Sequence, residues 1–229
     1  EYLAENCVSG MRAKDLDLLA EKKILENGDI PVFKNYKPHG ASYPFPASLC
    51  VSINDEIVHG IPSDFVLEEG DIVSLDLGLV HKGMITDGAI TVPVGKVSPE
   101  AQRLMNITRE ALNIGIKQVK PGNRTGDIGN AIEQFVKPHG FGIVKILAGH
   151  GVGYSVHEDP YVPNYGKAGT GEKLVPGMVI AIEPMLNLGT DEVFVTEDEY
   201  TYITADEKLS AHFEHTVLVT EDGYEILTK

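Results

Sequence analysis

Four carboxylates in this sequence stand where a carboxylate is costly. Asp76 lies inside Val73-Ser-Leu-Asp-Leu-Gly78 and Glu183 inside Val179-Ile-Ala-Ile-Glu-Pro184, both β-type apolar runs. Asp87 opens Asp87-Gly-Ala-Ile-Thr-Val92, and Glu214 opens Glu214-His-Thr-Val-Leu-Val219. A carboxylate in such a run either faces solvent or finds a partner, because burying it bare is expensive. Four of them converging on one point repel one another unless cations sit between them. A cage of hard oxygens with one imidazole suits Mn, Fe, Co or Zn in a working site, whereas structural zinc takes Cys and His.

The imidazole is sought first in Ala148-Gly-His150-Gly-Val-Gly153-Tyr-Ser-Val-His157-Glu-Asp-Pro160. Glycines on either side of His150 let the backbone come close and aim the ring. His157, seven positions on, can reach the same cavity as a hydrogen-bond donor. His59, in Val58-His-Gly-Ile-Pro62, is a third candidate on a loop after a strand. His212 and His215 flank Glu214, and alternation along a strand turns His215 to the opposite face, where it packs or supports.

An internal repeat says how these groups are held. Gly10-Met-Arg12-Ala-Lys-Asp15-Leu16 leads into a helical pattern, and Gly122-Asn-Arg124-Thr-Gly-Asp127-Ile128 does the same. Further on, Gly70-Asp-Ile-Val-Ser-Leu-Asp76 matches Gly177-Met-Val-Ile-Ala-Ile-Glu183: a turn glycine, a β-type run, then an acid six residues after the glycine. Asp87 follows Asp76 by 11 residues and Glu214 follows Glu183 by 31. The repeat pairs them as second acids of equivalent half-sheets, with the stretch 187–210 as a hairpin-like insertion. Period and punctuation predict helices near 12–26, 99–119 and 126–138, the second capped by Ser98 with Pro99 at its first position. They predict strands near 48–54, 71–80, 84–94, 142–147, 178–186, 192–204, 212–219 and 224–228, with a hairpin across His81-Lys82-Gly83. The expected fold class is α+β: one domain over 1–229, two pseudo-symmetric halves, and helices covering one face of a curved antiparallel sheet.

Composition narrows the function. A net charge of −15 over 229 residues argues against stable nucleic-acid binding, which needs Lys and Arg on the phosphates. It favours cations, either metal ions or a protonated amine. Cys7 and Cys50 are too few for a disulfide framework, and reduced thiols in a cytoplasm are the simpler expectation. No apolar run reaches the length of a membrane span, and the start lacks a secretory pattern. Rival motifs fail on spacing: Gly149-x-Gly151-x-Gly153 is not the dinucleotide fingerprint, and Gly166 to Gly171 ends in Glu172-Lys173 instead of Lys-Ser/Thr. Gly-x-Ser-x-Gly and His-Glu-x-x-His do not occur.

Taken together, His59-Gly-Ile-Pro62, Asp76, Asp87, Gly149-His-Gly-Val-Gly153, His157-Glu-Asp-Pro160, Ile182-Glu-Pro-Met185 and Ala211-His-Phe-Glu-His-Thr216 resemble the type I methionine aminopeptidases of bacteria. The resemblance runs in order from about residue 10 to 228. It implies the pita-bread (creatinase/aminopeptidase) fold, a dinuclear centre of two divalent ions, and removal of the first methionine from the N-terminal peptides of nascent proteins when the second residue is small. It implies metal ligation by Asp76, Asp87, His150, Glu183 and Glu214, with Asp87 and Glu214 bridging. Glu183 becomes the proton shuttle, His157 the oxyanion donor, and His59 a contact to the scissile amide. Cys50, Phe45 and Tyr200 fall in the methionine pocket. A monomer is the family pattern, and so is a further N-terminal helix that this sequence, starting at Glu1, does not show. Three positions depart from the pattern: Gly78, where a hydroxyl residue is frequent, Thr86-Asp87-Gly88-Ala89 in place of Gly-Asp-Thr/Ser, and Val156 in place of Phe. Two other readings are an aminopeptidase or dipeptidase acting before proline, and a non-catalytic binding protein on the same scaffold. All five ligand positions remain, which weighs against the latter.

Overall fold

The structure is a computed structural model describing residues 1–229. Its helices are α1 (Tyr2–Asn6), α2 (Ala13–Glu26), α3 (Pro99–Ile116) and α4 (Thr125–Val136), with a 3-10 turn at Lys137–His139. The Ser98 side chain accepts a hydrogen bond from the Ala101 amide at 3.0 Å, and Pro99 occupies the first turn, where its missing N–H costs nothing. At the start of α4 the Asp127 carboxylate accepts the Arg124 amide at 2.7 Å. The three longer helices each bury one stripe. Ala13, Leu16 and Ala20 of α2 pack with Leu49, Val73 and Leu75, while Leu104, Leu112, Ile128 and Ile132 of α3 and α4 pack with Ile180, Ile182 and Val217.

Each half is built around a central strand. In the first half Ile72–His81 lies between Cys50–Ile53 and Met84–Pro93, all antiparallel. In the second, Val179–Ile182 lies between Gly149–Gly151 and His215–Val219. In the first half Ile30–Pro31 pairs with the far end of the central strand, and in the second the sheet continues outward to Glu158–Val162 and Tyr224–Ile226. The repeat is visible in the backbone. Gly10 donates to Leu67 O as Gly122 does to Leu174 O, and Gly70 donates to Val94 O as Gly177 does to Val219 O. Arg12 bridges Val66, and Arg124 bridges Lys173, in the same antiparallel sense.

The halves meet along a seam. Ala89 and Glu214 exchange both backbone hydrogen bonds, at 2.8 and 3.4 Å. Two residues away in each direction the strands splay, and a threonine hydroxyl fills the gap. Thr216 Oγ1 accepts from the Asp87 amide at 2.8 Å and donates to its carbonyl at 2.7 Å. Thr91 Oγ1 does the same for His212, at 2.8 Å in both directions. Thr91 and Thr216 are therefore twofold mates, and so are Ala89 and Glu214, and Asp87 and His212. The register across each sheet agrees: Asp76 faces Ala89, and the pairing of Ile182 with His215 sets Glu183 against Glu214. This corrects the sequence reading, which paired Asp87 with Glu214.

Several strands differ from expectation for local reasons. The run 178–186 breaks at Glu183-Pro184 into Val179–Ile182 and Met185–Asn187, since proline has no amide to give a ladder. The run 212–219 likewise breaks at Phe213-Glu214, between Ser210–His212 and His215–Val219. The stretch 192–204 is a hairpin, Val193–Val195 with Tyr202–Thr204, and it pairs with Glu56–Val58. Only Gly142–Ile143 of 142–147 is extended in a ladder. The first-half hairpin turns on two residues, Lys82 and Gly83, both at positive φ (50° and 83°), as a type I′ turn requires.

Candidate metal centre

One face of each central strand points inward. Asp76 is directly opposite Cys50, and Gly78 is opposite Asp87, so both acids project from the same face of the first sheet. From the second half come Glu183, just past the end of its strand, and Glu214, at the strand break beside the seam. A cavity of about 110 Å³ lies between the halves. Asp76, Asp87, His150, Glu183 and Glu214 line it, together with His59, His157, Phe45, Cys50 and Tyr200. All ten residues singled out in the sequence thus border one space. Phe33, Tyr36 and Pro38, which the sequence reading passed over, complete its wall. They lie on an irregular loop that carries no periodic signal.

The His150 ring is fixed by the backbone beside it. Its Nδ1 lies 2.8 Å from Gly151 O, and a carbonyl only accepts, so Nδ1 carries the proton and the Nε2 lone pair faces the cavity. The flanking glycines are required by close approach: a Cβ on Gly149 would fall 2.2 Å from Ala181 O, and one on Gly151 would fall 2.1 Å from Asp159 O. Asp87, His150 and Glu214 each bring a ligand atom within 4.8 Å of the other two. Glu183 Oε1 is 3.5 Å from His150 Nε2, and the Glu183 carbonyl accepts from Asn164 Nδ2 at 3.1 Å, which fixes the backbone beneath the carboxylate.

The electrostatics ask for cations. Burial first, then the neighbouring carboxylates, push Asp76 and Glu214 well above the usual acid range. Burial and Glu183 push Asp87 up to about 7, and burial pushes Glu183 up to about 7 despite His150. Asp76 Oδ1 and Glu214 Oε1 are buried without any hydrogen-bond partner. Orphaned acceptors beside a lone-pair nitrogen fit divalent ions, whose charge removes both the repulsion and the unmet hydrogen bonding.

Three further histidines surround the acids. His59 sits at φ 59°, a strained backbone state for a non-glycine residue, with its ring against Tyr202 at 5.7 Å; burial, then His212 and His150, lower its pKa to about 4. The His157 ring lies edge-on to that of His150 at 4.5 Å, and its Nδ1 is 3.0 Å from the Tyr36 hydroxyl. His212, which the sequence reading left without a role, is buried, and burial lowers its pKa to about 3. Its Nε2 is 3.4 Å from Glu183 Oε2. The signal was available: two residues from Glu214 along a strand is the same face. His215 is bonded to Thr228 instead, at 2.9 Å.

Part of the cavity wall is aromatic. The Tyr200 ring packs edge-on against Phe45 at 5.2 Å and Tyr43 at 5.3 Å, and its hydroxyl donates to Tyr43 O. The Ser42 amide donates to Glu199 Oε2 at 2.7 Å, so the loop carrying Tyr36 and Phe45 is fastened to the second-half hairpin. Gly78 is explained here. A Cβ at that position would lie 2.5 Å from Val32 Cγ1 and 2.8 Å from the Phe33 ring, so a hydroxyl residue would displace the wall.

The profile of Metallopeptidase family M24 matches residues 1–221. The methionine aminopeptidase of Clostridium perfringens is 46% identical over 226 residues, which is 99% of this chain and 88% of that protein. The crystal structure of methionine aminopeptidase from Thermotoga maritima superposes with a TM-score of 0.95 at 43% identity, covering 100% of this chain and 90% of the other. The prolidase of Pyrococcus horikoshii, at TM-score 0.73, 24% identity, 100% of this chain and 59% of that one, shares the fold alone.

Proposed function

This chain belongs to metallopeptidase family M24, with the pita-bread fold, and from that premise we propose that it removes the N-terminal methionine from nascent proteins and peptides. The observation that carries the reading is the cavity itself: four carboxylates and one lone-pair imidazole line it together with a thiol and aromatic rings. The acids suit a free amine, and the rings and sulfur suit a thioether, which packs well on both. A substrate with a free N-terminal amine and a methionine side chain matches that lining.

The residues divide as follows. Asp76 would hold one divalent ion and His150 and Glu183 a second, with Asp87 and Glu214 contributing to both; the oxygen-rich set suits Mn, Fe, Co or Zn. Such ions, when bound, supply Lewis acidity that lowers the pKa of water from about 15.7 towards 7 and polarises a carbonyl. Glu183 takes the proton of the attacking water and delivers it to the leaving amine. Tyr36 engages Nδ1 of His157, leaving Nε2–H to donate to the oxygen that gains charge. His59, kept neutral by burial, contacts the scissile amide. A monomeric enzyme with a single catalytic domain over 1–229 is the reading that the family resemblance implies. The unpaired Cys7 and Cys50 suit a cytoplasmic location, and no helix is long and apolar enough to cross a membrane.

Comparing Met-Ala-Ser with Ala-Pro-Phe tests the proposal. Release of methionine from the first, with the second untouched, is the expected result. Preferential hydrolysis of Ala-Pro-Phe would replace this reading with cleavage before proline.

A further inference from the structure

His212 is the twofold mate of Asp87 at the seam, so its side chain enters the centre from the second half as Asp87 does from the first. It is 1% exposed, and neither ring nitrogen has a hydrogen-bond partner. Its backbone, in contrast, is gripped by Thr91 through both amide and carbonyl. A buried imidazole with a firmly held backbone and an unused N–H carries a free-energy cost that folding alone does not require. The acceptor facing it is Glu183 Oε2, 3.4 Å from Nε2, while Glu183 Oε1 faces the lone pair of His150 at 3.5 Å. The two oxygens of one carboxylate thus look at two imidazoles in opposite roles, one offering an electron pair and one offering a proton.

We infer that His212 is a positioning residue for Glu183: its Nε2–H donates to Oε2, holding the carboxylate plane so that Oε1 is the atom shared with the cation at His150. At 3.4 Å the contact is long for a hydrogen bond, as contacts in working sites often are before substrate binds. Partners of this kind, which orient a ligating carboxylate without touching the metal, are worth about 10–100-fold in metal affinity or turnover. The inference rests on Glu183 being a ligand, as proposed above.

The test uses the full chain and two variants. His212→Leu removes the donor, and His212→Gln keeps an amide N–H of similar reach. Mn binding is read by titration calorimetry, and kcat and KM on Met-Ala-Ser are read at saturating Mn. The expected result for His212→Leu is about 10-fold weaker Mn binding and about a 10–100-fold loss of kcat, with KM within about 3-fold. His212→Gln is expected to stay within about 5-fold of the parent on all three. A Leu variant with parental Mn affinity and kcat overturns the inference, and so does a Gln variant that loses 10-fold or more. The Gln arm remains decisive if the Leu variant does not fold. A parent that neither binds Mn nor cleaves Met-Ala-Ser defeats the proposed function instead.

Discussion

Replacing Asp87 with Asn should make the metal-free protein more stable and the enzyme inert. Asp87 is 4% exposed, and its pKa is raised from 3.8 to about 7, first by burial and then by Glu183. Asn preserves the shape and can still accept the Gly88 amide, which Oδ1 now takes at 2.9 Å. Between pH 3.8 and about 7 the folded metal-free chain keeps a proton on Asp87 that the unfolded chain has released. Stability therefore falls as pH rises through that window, and the full cost is present above it. At about 1.4 kcal/mol per pH unit between the two values, the cost at pH 8.5 is on the order of 4 kcal/mol. Allowing for relaxation, Asp87→Asn should raise the Tm of the chelated protein by about 5–10 °C at pH 8.5 and by little at pH 4. On the proposed function the same substitution removes a metal-ligand charge, so Mn binding and methionine release should both disappear. Scanning calorimetry of the chelated proteins at the two pH values, with Mn titrations alongside, provides the assay. A variant that is less stable than its parent at pH 8.5, or that still binds Mn like its parent, would refute the reasoning.

Two further outcomes follow from the same geometry. His157→Ala should lower kcat by about 10²–10³, the loss typical of one oxyanion donor, while Mn affinity stays parental; steady-state kinetics with near-native kcat would remove His157 from that role. Thr216→Val strands the Asp87 amide and carbonyl at the seam and should cost about 1–3 kcal/mol. Urea unfolding with an unchanged midpoint would show that the hydroxyl does not join the halves.

The sequence carried the repeat because glycines and arginines mark turns whose geometry only a few residues satisfy: Gly10, Gly70, Gly122 and Gly177 all sit at positive φ. It carried the acids because a carboxylate in an apolar run is conspicuous. It did not carry Glu56–Val58 or Gly149–Gly151, which are three-residue strands defined by their neighbours and too short to show a period. Nor did it show that Glu183 and Glu214 occupy breaks between strands, where the chain is freed from the ladder. The equivalence of Asp87 with His212 was hidden by the insertion between Met185–Asn187 and Ser210–His212, which changes the spacing between the halves and made Glu214 the more obvious mate. The loop bearing Phe33, Tyr36 and Phe45 owes its shape to contacts with Tyr200 and Glu199, more than 150 residues away, and no local signal encodes such a contact.

The central claim is that the buried acids and His150 work by holding divalent ions. Its most direct test is to strip the protein with chelator, titrate Mn back, and follow bound metal and methionine release from Met-Ala-Ser on the same samples. The account predicts no release from the stripped protein and a rise that follows occupancy of the site. Full-rate release from protein shown to be metal-free would contradict it.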